Sequence, residues 1–186
     1  IEISATSSKQ LTQGLYMYIQ LKAKIDGVWR VVDNYTWFKL NFTGNQTYRA
    51  LSIGVSEYES TTTVDTRHAN DSDAVELMLN NLNENYDVTK LRGYVTSQDV
   101  IDEVEEVAPD STDSDVFFFF VYTHGGYNTN NNESCIVFSN NTESEGYMYV
   151  SELRTLLDQI NGTKIVIIEA CQSGDFVNLQ DIRHVS

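Results

Sequence analysis

Two runs of this sequence, Val116–Tyr122 and Ile165–Ile168, constrain its fold most, because every residue in them is apolar or aromatic. A strand with one face in water alternates polar and apolar residues, whereas a strand covered on both faces is apolar throughout. Both runs are far shorter than the roughly 18 apolar residues that a membrane span needs. The sequence therefore predicts two strands of a parallel sheet that is covered by helices on both faces.

From Tyr48 onward, predicted strands alternate with amphipathic helices. The helices are recognised by apolar residues that recur every three to four positions, and the strands by short apolar runs. This order predicts an α/β fold with a mostly parallel sheet, arranged in three layers as helix, sheet and helix. The predicted strands are Tyr48–Val55, Leu91–Val95, Asp115–Tyr122, Cys135–Ser139 and Lys164–Glu169, and the predicted helix faces are Ala74, Leu77, Met78 and Leu82, then Val100, Val104 and Val107, then Leu153, Leu156, Leu157 and Ile160.

Several residues mark the ends of these helices. Thr96–Asp99 has the spacing of a capping box, and Pro109 is expected to end the helix that this box opens. Ser151 is the predicted N-cap of the third helix, and Gly162 is its predicted C-terminal stop. The Asn-rich segment Tyr127–Ser134 is predicted to be a loop, either facing the substrate or serving as a solvated connection, and the second alternative is favoured.

The first 46 or so residues follow a different pattern. Leu15–Ala23, Val28–Val32 and Tyr35–Phe42 are rich in aromatic and β-branched residues, and Asp26-Gly27 is a hairpin turn signal between the first two runs. This pattern predicts a small antiparallel β meander. We therefore expect an N-terminal β extension over residues 1–46 and an α/β domain over residues 47–186.

The chain has 27 acidic and 12 basic residues, so its formal net charge is −15. Nucleic acid and anionic membranes would repel such a chain, and we expect neither as a partner. Asn-X-Ser/Thr tripeptides, the acceptor sites of N-glycosylation, favour a secreted or cell-surface protein. These tripeptides begin at Asn34, Asn41, Asn45, Asn70, Asn132, Asn140 and Asn161.

The candidate chemistry lies where the two apolar strands end, since ligands of parallel sheets bind beyond the carboxyl ends of the strands. One strand leads into His124–Gly126 and the other into Cys171–Gly174. A cysteine nucleophile needs a base to form its thiolate, and an imidazole is the usual base. The amides of Gly125 and Cys171 are candidate donors to an oxyanion. The sequence thus predicts Cys171 as a nucleophile and His124 as its base.

Two segments, Tyr122–Gly126 and Ile168–Gly174, resemble the catalytic blocks of the clan CD cysteine peptidases, which include caspases, metacaspases, clostripain and legumain. Three further features resemble legumain and the transamidase subunit of lipid-anchor attachment. They are Arg67–Asp71 before the first helix, Tyr94–Val100 before the second, and Glu169 before the nucleophile. The resemblance implies a caspase-like fold and a cysteine endopeptidase that forms a thioester with a peptide or protein substrate.

The same resemblance implies roles for residues around the dyad. Arg67 and Glu169 would line the pocket for the side chain that precedes the scissile bond. His68 is a candidate to support that pocket, and the favoured alternative for it is a capping role at the entry to the first helix. Asp65 lies where legumains have an Asn that orients the catalytic histidine, and a carboxylate there would stabilise the imidazolium. The alternative is that Asp65 is an exposed loop residue. No metal and no cofactor are expected.

The pocket pair leaves specificity open between two predictions. If Arg67 and Glu169 act together, they satisfy both ends of an Asn amide, and a substrate without that amide would leave two polar groups unpaired at roughly 1–3 kcal/mol each. If Arg67 turns away, Glu169 alone would select Arg or Lys. Asn is the favoured residue before the scissile bond, with Arg or Lys less favoured and Asp as a further alternative.

The pattern also departs from legumains, because Thr123 stands where an acidic residue commonly precedes the catalytic histidine. Transamidation or peptide ligation therefore remains an alternative to hydrolysis, and a non-catalytic binding module on a cell-surface protein is a further one. The caspase-like fold implies more strands and helices after the nucleophile strand. We expect these in a C-terminal small subunit produced from the same precursor by autoprocessing.

Overall fold

The structure is a computed structural model of the chain, and it describes residues 46–82 and 85–178 together with the backbone of four strands among residues 2–40. The chain divides into two compact units, residues 1–45 and residues 46–186. Each unit is described by itself. The division falls one residue before the predicted start of the α/β domain.

The first unit contains four antiparallel strands: β1 (Glu2–Ala5), β2 (Leu15–Ile25), β3 (Val28–Val31) and β4 (Thr36–Leu40). The predicted meander is wrong in its order, because β4 pairs with β2 and not with β3. β2 has 11 residues, and the short β3 occupies only its second half, so the first half remains for β4. The predicted Asp26-Gly27 turn lies outside the described residues.

The second unit is built on a parallel sheet in the order β11-β7-β5-β6. This sheet and its helices confirm the predicted caspase-like α/β fold. A separate antiparallel sheet, in the order β10-β9-β8, follows the central strand. The elements are β5 (Tyr48–Val55), α1 (Thr66–Asn80), β6 (Asp87–Gly93), α2 (Ser97–Val107), β7 (Val116–Tyr122), β8 (Gly125–Asn128), β9 (Glu133–Val137), β10 (Tyr147–Tyr149), α3 (Val150–Leu157) and β11 (Thr163–Glu169).

The central strand β7 shows how the apolar run produces three layers. Phe117, Phe119 and Val121 pack into a core that contains residues of α2 and α3. Phe118 and Phe120 point to the opposite face, into a core that contains residues of α1. Because side chains alternate along a strand, an uninterrupted apolar run fills both cores at once.

The predicted apolar face of α1 is partly wrong. Leu77 is 65% exposed and Ala74 is also exposed. The backbones of β5 and α1 come close at Gly54, where a Cβ would lie 2.2 Å from the carbonyl oxygen of His68. The buried residues in the first two turns of α1 are accordingly small, as are Ala69 and Ser72, or hydrogen-bonded, as is His68. The buried residues of α1 are His68, Ala69, Ser72 and Leu79.

The predictions for the ends of α2 and α3 are partly confirmed and partly wrong. Thr96 and Asp99 form the predicted capping box, and α2 ends before a short 3-10 turn that contains Pro109. The predicted N-cap Ser151 is wrong, because α3 begins at Val150 and its N-cap is Tyr149. The strand β10 runs directly into this helix, so the chain bends earlier than the capping pattern indicated.

The Asn-rich segment after His124 is not the predicted loop. Gly125–Asn128 and Glu133–Val137 pair as an antiparallel hairpin, with Tyr127 opposite Ser134. Only residues 129–132 form the turn between the strands. The hairpin holds the His124 segment at the sheet edge, since the amide of Val137 donates to the carbonyl of His124 at 2.9 Å.

Within the described part of the chain, no helix has the length and apolar character that crossing a bilayer requires.

Candidate active site

The parallel register of β7 and β11 brings His124 and Cys171 to the same sheet edge. The last residue pair of the two strands is Tyr122 and Glu169. His124 and Cys171 each follow this pair by two positions. The amide of Thr123 donates to the carbonyl of Glu169 at 3.1 Å and continues the pairing into the site. Both the imidazole and the thiol are exposed. The structure therefore places the predicted nucleophile and base on neighbouring strand ends that face solvent.

Gly125 is the point where the two segments touch. A Cβ at this position would lie 1.8 Å from the carbonyl oxygen of Cys171 and 3.0 Å from its amide nitrogen. A side chain has no room there, so the close approach of the two backbones requires glycine. The contact places both amides predicted to bind an oxyanion in one small region.

Cys171 lies on a tight turn, and the residues that follow this turn pack against the domain. The next residue, Gln172, has a φ of 63°, a left-handed conformation that few side chains adopt readily. Further along, Asp175 accepts a hydrogen bond from the buried Ser134 at 2.5 Å, and Phe176 is 5% exposed. These contacts fix the turn against β9 and leave the thiol at the surface.

The imidazole of His124 contacts two aromatic rings, and the sequence did not predict either contact. The ring centroid of Tyr58 lies 4.8 Å from that of the imidazole, and the His68 ring lies 5.3 Å away in an edge-on arrangement. The Tyr58 hydroxyl also accepts the backbone N–H of His124 at 3.2 Å. Tyr58 lies three residues beyond β5, and no spacing pattern connects it with position 124.

His68, which was predicted to support the substrate pocket, is buried at 3% exposure. Its Nδ1 lies 2.6 Å from the carbonyl oxygen of Val55, and its ring packs 4.1 Å from that of Tyr122. Burial lowers its pKa, which favours the neutral ring near pH 7. His68 therefore lies behind His124 and is shielded from solvent.

Asp65 is the N-cap of α1 and forms a two-point ion pair with Arg67. The Arg67 Nε and Nη2 atoms lie 3.1 and 2.9 Å from the two carboxylate oxygens. This pairing holds the pKa of Asp65 at about 2. The same carboxylate lies 3.5 Å from Nε2 of His68. Among contacts of the described residues, Asp65 reaches His124 only through His68, so the predicted direct contact is not seen.

Arg67 and Glu169 are predicted to line one substrate pocket and to bind the two ends of an Asn amide, and this stays a prediction. Arg67 forms its ion pair with Asp65, and within the described ranges no ion pair joins it to Glu169. Burial, followed by the nearby negative charge of Asp71, raises the pKa of Glu169. Within the described residues, no ion pair links this half-buried carboxylate to a Lys or Arg side chain.

The two cysteines have opposite environments. Cys135 is buried in β9, where burial raises the pKa of its thiol, whereas Cys171 is exposed. A thiol with a raised pKa in an apolar site forms little thiolate. Cys171 is therefore the accessible candidate nucleophile. Across residues 46–82 and 85–178, no group of three or more His, Cys, Asp or Glu is arranged to hold a metal ion.

Residues 47–184 match the family of caspase domains, Peptidase C14. The chain belongs to the caspase domain family. The match covers all the candidate site residues of this caspase domain, and it indicates a family of the cysteine peptidase type. It does not distinguish the legumain branch, which stays a prediction.

One solved structure shows the fold of this caspase domain. It is the crystal structure of protein GSU0716 from Geobacter sulfurreducens, with a TM-score of 0.53 and 20% sequence identity. The likeness covers 72% of this chain and 53% of that chain, so the alignment spans about half the length of the bacterial protein. No curated protein matches the sequence significantly.

Proposed function

We propose that this caspase domain is a cysteine endopeptidase with Cys171 as nucleophile and His124 as general base. The observation that carries the proposal is the placement of an exposed thiol and an exposed imidazole on adjacent strand ends, with Gly125 packed against the backbone of Cys171. Membership of the caspase domain family supports the same chemistry.

In the proposed reaction, His124 takes the thiol proton and the sulfur attacks the carbonyl carbon of a peptide bond. The amides of Gly125 and Cys171 stabilise the negative oxygen that forms. The C–N bond breaks as His124 returns its proton to the leaving amine, which yields a thioester. Water then attacks the thioester with His124 as base, the C–S bond breaks, and the acid and the free thiol are released.

We further propose that the pocket beside Glu169 takes a cationic side chain. Within the described residues no Lys or Arg side chain pairs with the half-buried carboxylate, and Asp71 adds a second negative charge nearby. Arg67, which an Asn-selective pocket would need, is held by Asp65. An Arg or Lys of the substrate would therefore gain a charge-assisted partner, whereas an Asn would find only an acceptor.

Peptides that differ only in the residue before the scissile bond test the activity and the pocket together. Cleavage after Arg or Lys, with loss of activity in Cys171→Ala and His124→Ala, is expected. Preferred cleavage after Asn would overturn the cationic pocket but keep the peptidase. If no peptide is cleaved and iodoacetamide modifies Cys171 no faster than Cys135, the peptidase proposal is wrong and a binding module is favoured.

Product analysis separates hydrolysis from acyl transfer, because added amine would appear in the product of a transamidase. Hydrolysis is favoured by the position of Thr123, which is 2% exposed and donates to the carbonyl of Val137. A buried hydroxyl cannot take the place of the acidic residue that precedes the histidine in legumains. We also propose a secreted protein with a small subunit from the same precursor. Glycosidase treatment and intact-mass analysis would test these two points.

A further inference from the structure

Tyr58 contacts both the backbone and the ring of His124. It lies between β5 and α1 and is 5% exposed. Its hydroxyl accepts the His124 backbone N–H at 3.2 Å, and its ring lies 4.8 Å from the imidazole with an angle of 38° between the planes. A residue that holds the main chain and covers the ring restricts the rotamers open to His124.

Tyr58 has one hydroxyl proton, and Thr123 and Val55 both offer an acceptor for it. Thr123 donates its only hydroxyl proton to the carbonyl of Val137. The contact of 2.9 Å between the Tyr58 and Thr123 hydroxyl oxygens can therefore be bridged only by the tyrosine proton. With the proton in that position, a continuous chain runs from the His124 N–H to the Tyr58 hydroxyl, then to Thr123, and finally to Val137 on β9.

The carbonyl of Val55 is the other acceptor for the Tyr58 proton, at 2.9 Å. Because this carbonyl can only accept, His68 Nδ1 at 2.6 Å from it carries the ring proton. A carbonyl oxygen has two lone pairs, so Val55 has room for both donors. In either position of its proton, the Tyr58 hydroxyl keeps a lone pair for the backbone N–H of His124. Burial raises the pKa of Tyr58, so the phenol remains protonated at neutral pH.

We propose that Tyr58 is a positioning residue, which holds the imidazole of His124 in the orientation that reacts with Cys171. The inference rests on the proposed function, in which His124 is the base. Tyr58 acts through His124 and does not touch the substrate. Its ring face also favours the imidazolium that forms when the thiol loses its proton. Misplacement of a catalytic group by about 1 Å is expected to cost on the order of a hundredfold in rate.

Tyr58→Phe is the direct test, because it keeps the ring and removes only the hydroxyl. We expect kcat to fall by about ten- to a hundredfold, with KM changed less than about threefold. The pH profile of Cys171 alkylation by iodoacetamide should move towards that of His124→Ala. Tyr147→Phe is the matched control, since that half-buried hydroxyl donates to the backbone carbonyl of Asn141 at 3.0 Å and not to a residue of the dyad. Its kinetics should equal those of the parent.

A second pair of variants decides the matter if Tyr58→Phe fails to fold. Thr123→Val breaks the same chain one link further on and should lower kcat in the same direction, whereas Thr123→Ser should restore it. An unchanged kcat and alkylation profile in a folded Tyr58→Phe would overturn the proposal. So would a loss of activity that follows thermal stability alone. If His124→Ala itself leaves alkylation of Cys171 unchanged, it is the peptidase proposal that fails.

Discussion

Gly125 faces the carbonyl oxygen of Cys171 so closely that a Cβ on residue 125 would lie 1.8 Å from it. This contact joins the segment that carries His124 to the turn that carries the nucleophile. The geometry of the dyad therefore depends on the absence of a side chain at one position.

Gly125→Ala is expected to abolish peptidase activity and to destabilise the fold by about 1–3 kcal/mol, because the backbones must separate to admit a methyl group. Urea unfolding and peptide hydrolysis measure the two effects. Gly174→Ala is the matched control, since, apart from its chain neighbours, no atom of the described residues lies within 4 Å of the Cβ that it would add. Equal behaviour of the two variants would contradict the close contact.

The conformation of Gln172 gives a second prediction. Its φ of 63° suits glycine and opposes β-branched residues. Gln172→Gly should preserve alkylation of Cys171, whereas Gln172→Val should slow it and cost about 1–3 kcal/mol of stability. Alkylation rates and urea unfolding of both variants check this. A Val variant as stable and reactive as the Gly variant would show that the turn is not left-handed.

The charge of Glu169 predicts a pH dependence of substrate binding. Burial and Asp71 raise the pKa of this carboxylate, so it loses its charge at a higher pH than an ordinary glutamate does. The KM for a substrate with Arg before the scissile bond should rise as the pH falls through that raised pKa. Glu169→Gln should raise this KM about tenfold or more and remove the pH dependence, as loss of a charged partner predicts.

Glu105→Gln is the control for this prediction, because Glu105 is an exposed residue of α2. It should leave the KM for the Arg substrate unchanged. If Glu169→Gln instead affects hydrolysis after Asn more than after Arg, the amide-binding pocket becomes the better account.

The buried carboxylate of Asp115 predicts acid sensitivity of the fold. Although burial opposes its charge, hydrogen bonds from the amides of Thr47 and Thr112, both at 2.9 Å, outweigh that effect and lower its pKa. A lowered pKa in the folded state stabilises the protein above the unfolded value of about 3.9, and this stability is lost as the pH falls towards the folded value.

Asp115→Asn should therefore lower the free energy of unfolding near neutral pH by about 1–3 kcal/mol and weaken its fall below about pH 4. Urea unfolding at several pH values measures both. Asp113→Asn, at an exposed neighbouring position, should match the parent at every pH. A parent-like pH profile for Asp115→Asn would mean that the two amides do not stabilise the carboxylate.

The sequence was sufficient to predict a secondary-structure element where the pattern of its apolar residues fits only one kind of element. The uninterrupted apolar run of β7 predicted a strand between two layers, and its side chains do fill both cores. The apolar face of α1 was harder to predict. The first turns of α1 lie against Gly54, so the residues buried there are those that fit this close approach, such as His68. Leu77 was predicted to be buried but is exposed.

By itself, the sequence determined the parallel sheet and brought Cys171 and His124 to one edge, because both follow strands whose direction is fixed by the fold. Only the tertiary structure decided what surrounds the dyad. Tyr58 contacts His124, and Arg67 pairs with Asp65 and, among the described residues, not with Glu169. Such contacts depend on side-chain direction and on loops that pack across the chain, and these are set by three-dimensional packing that no linear spacing records.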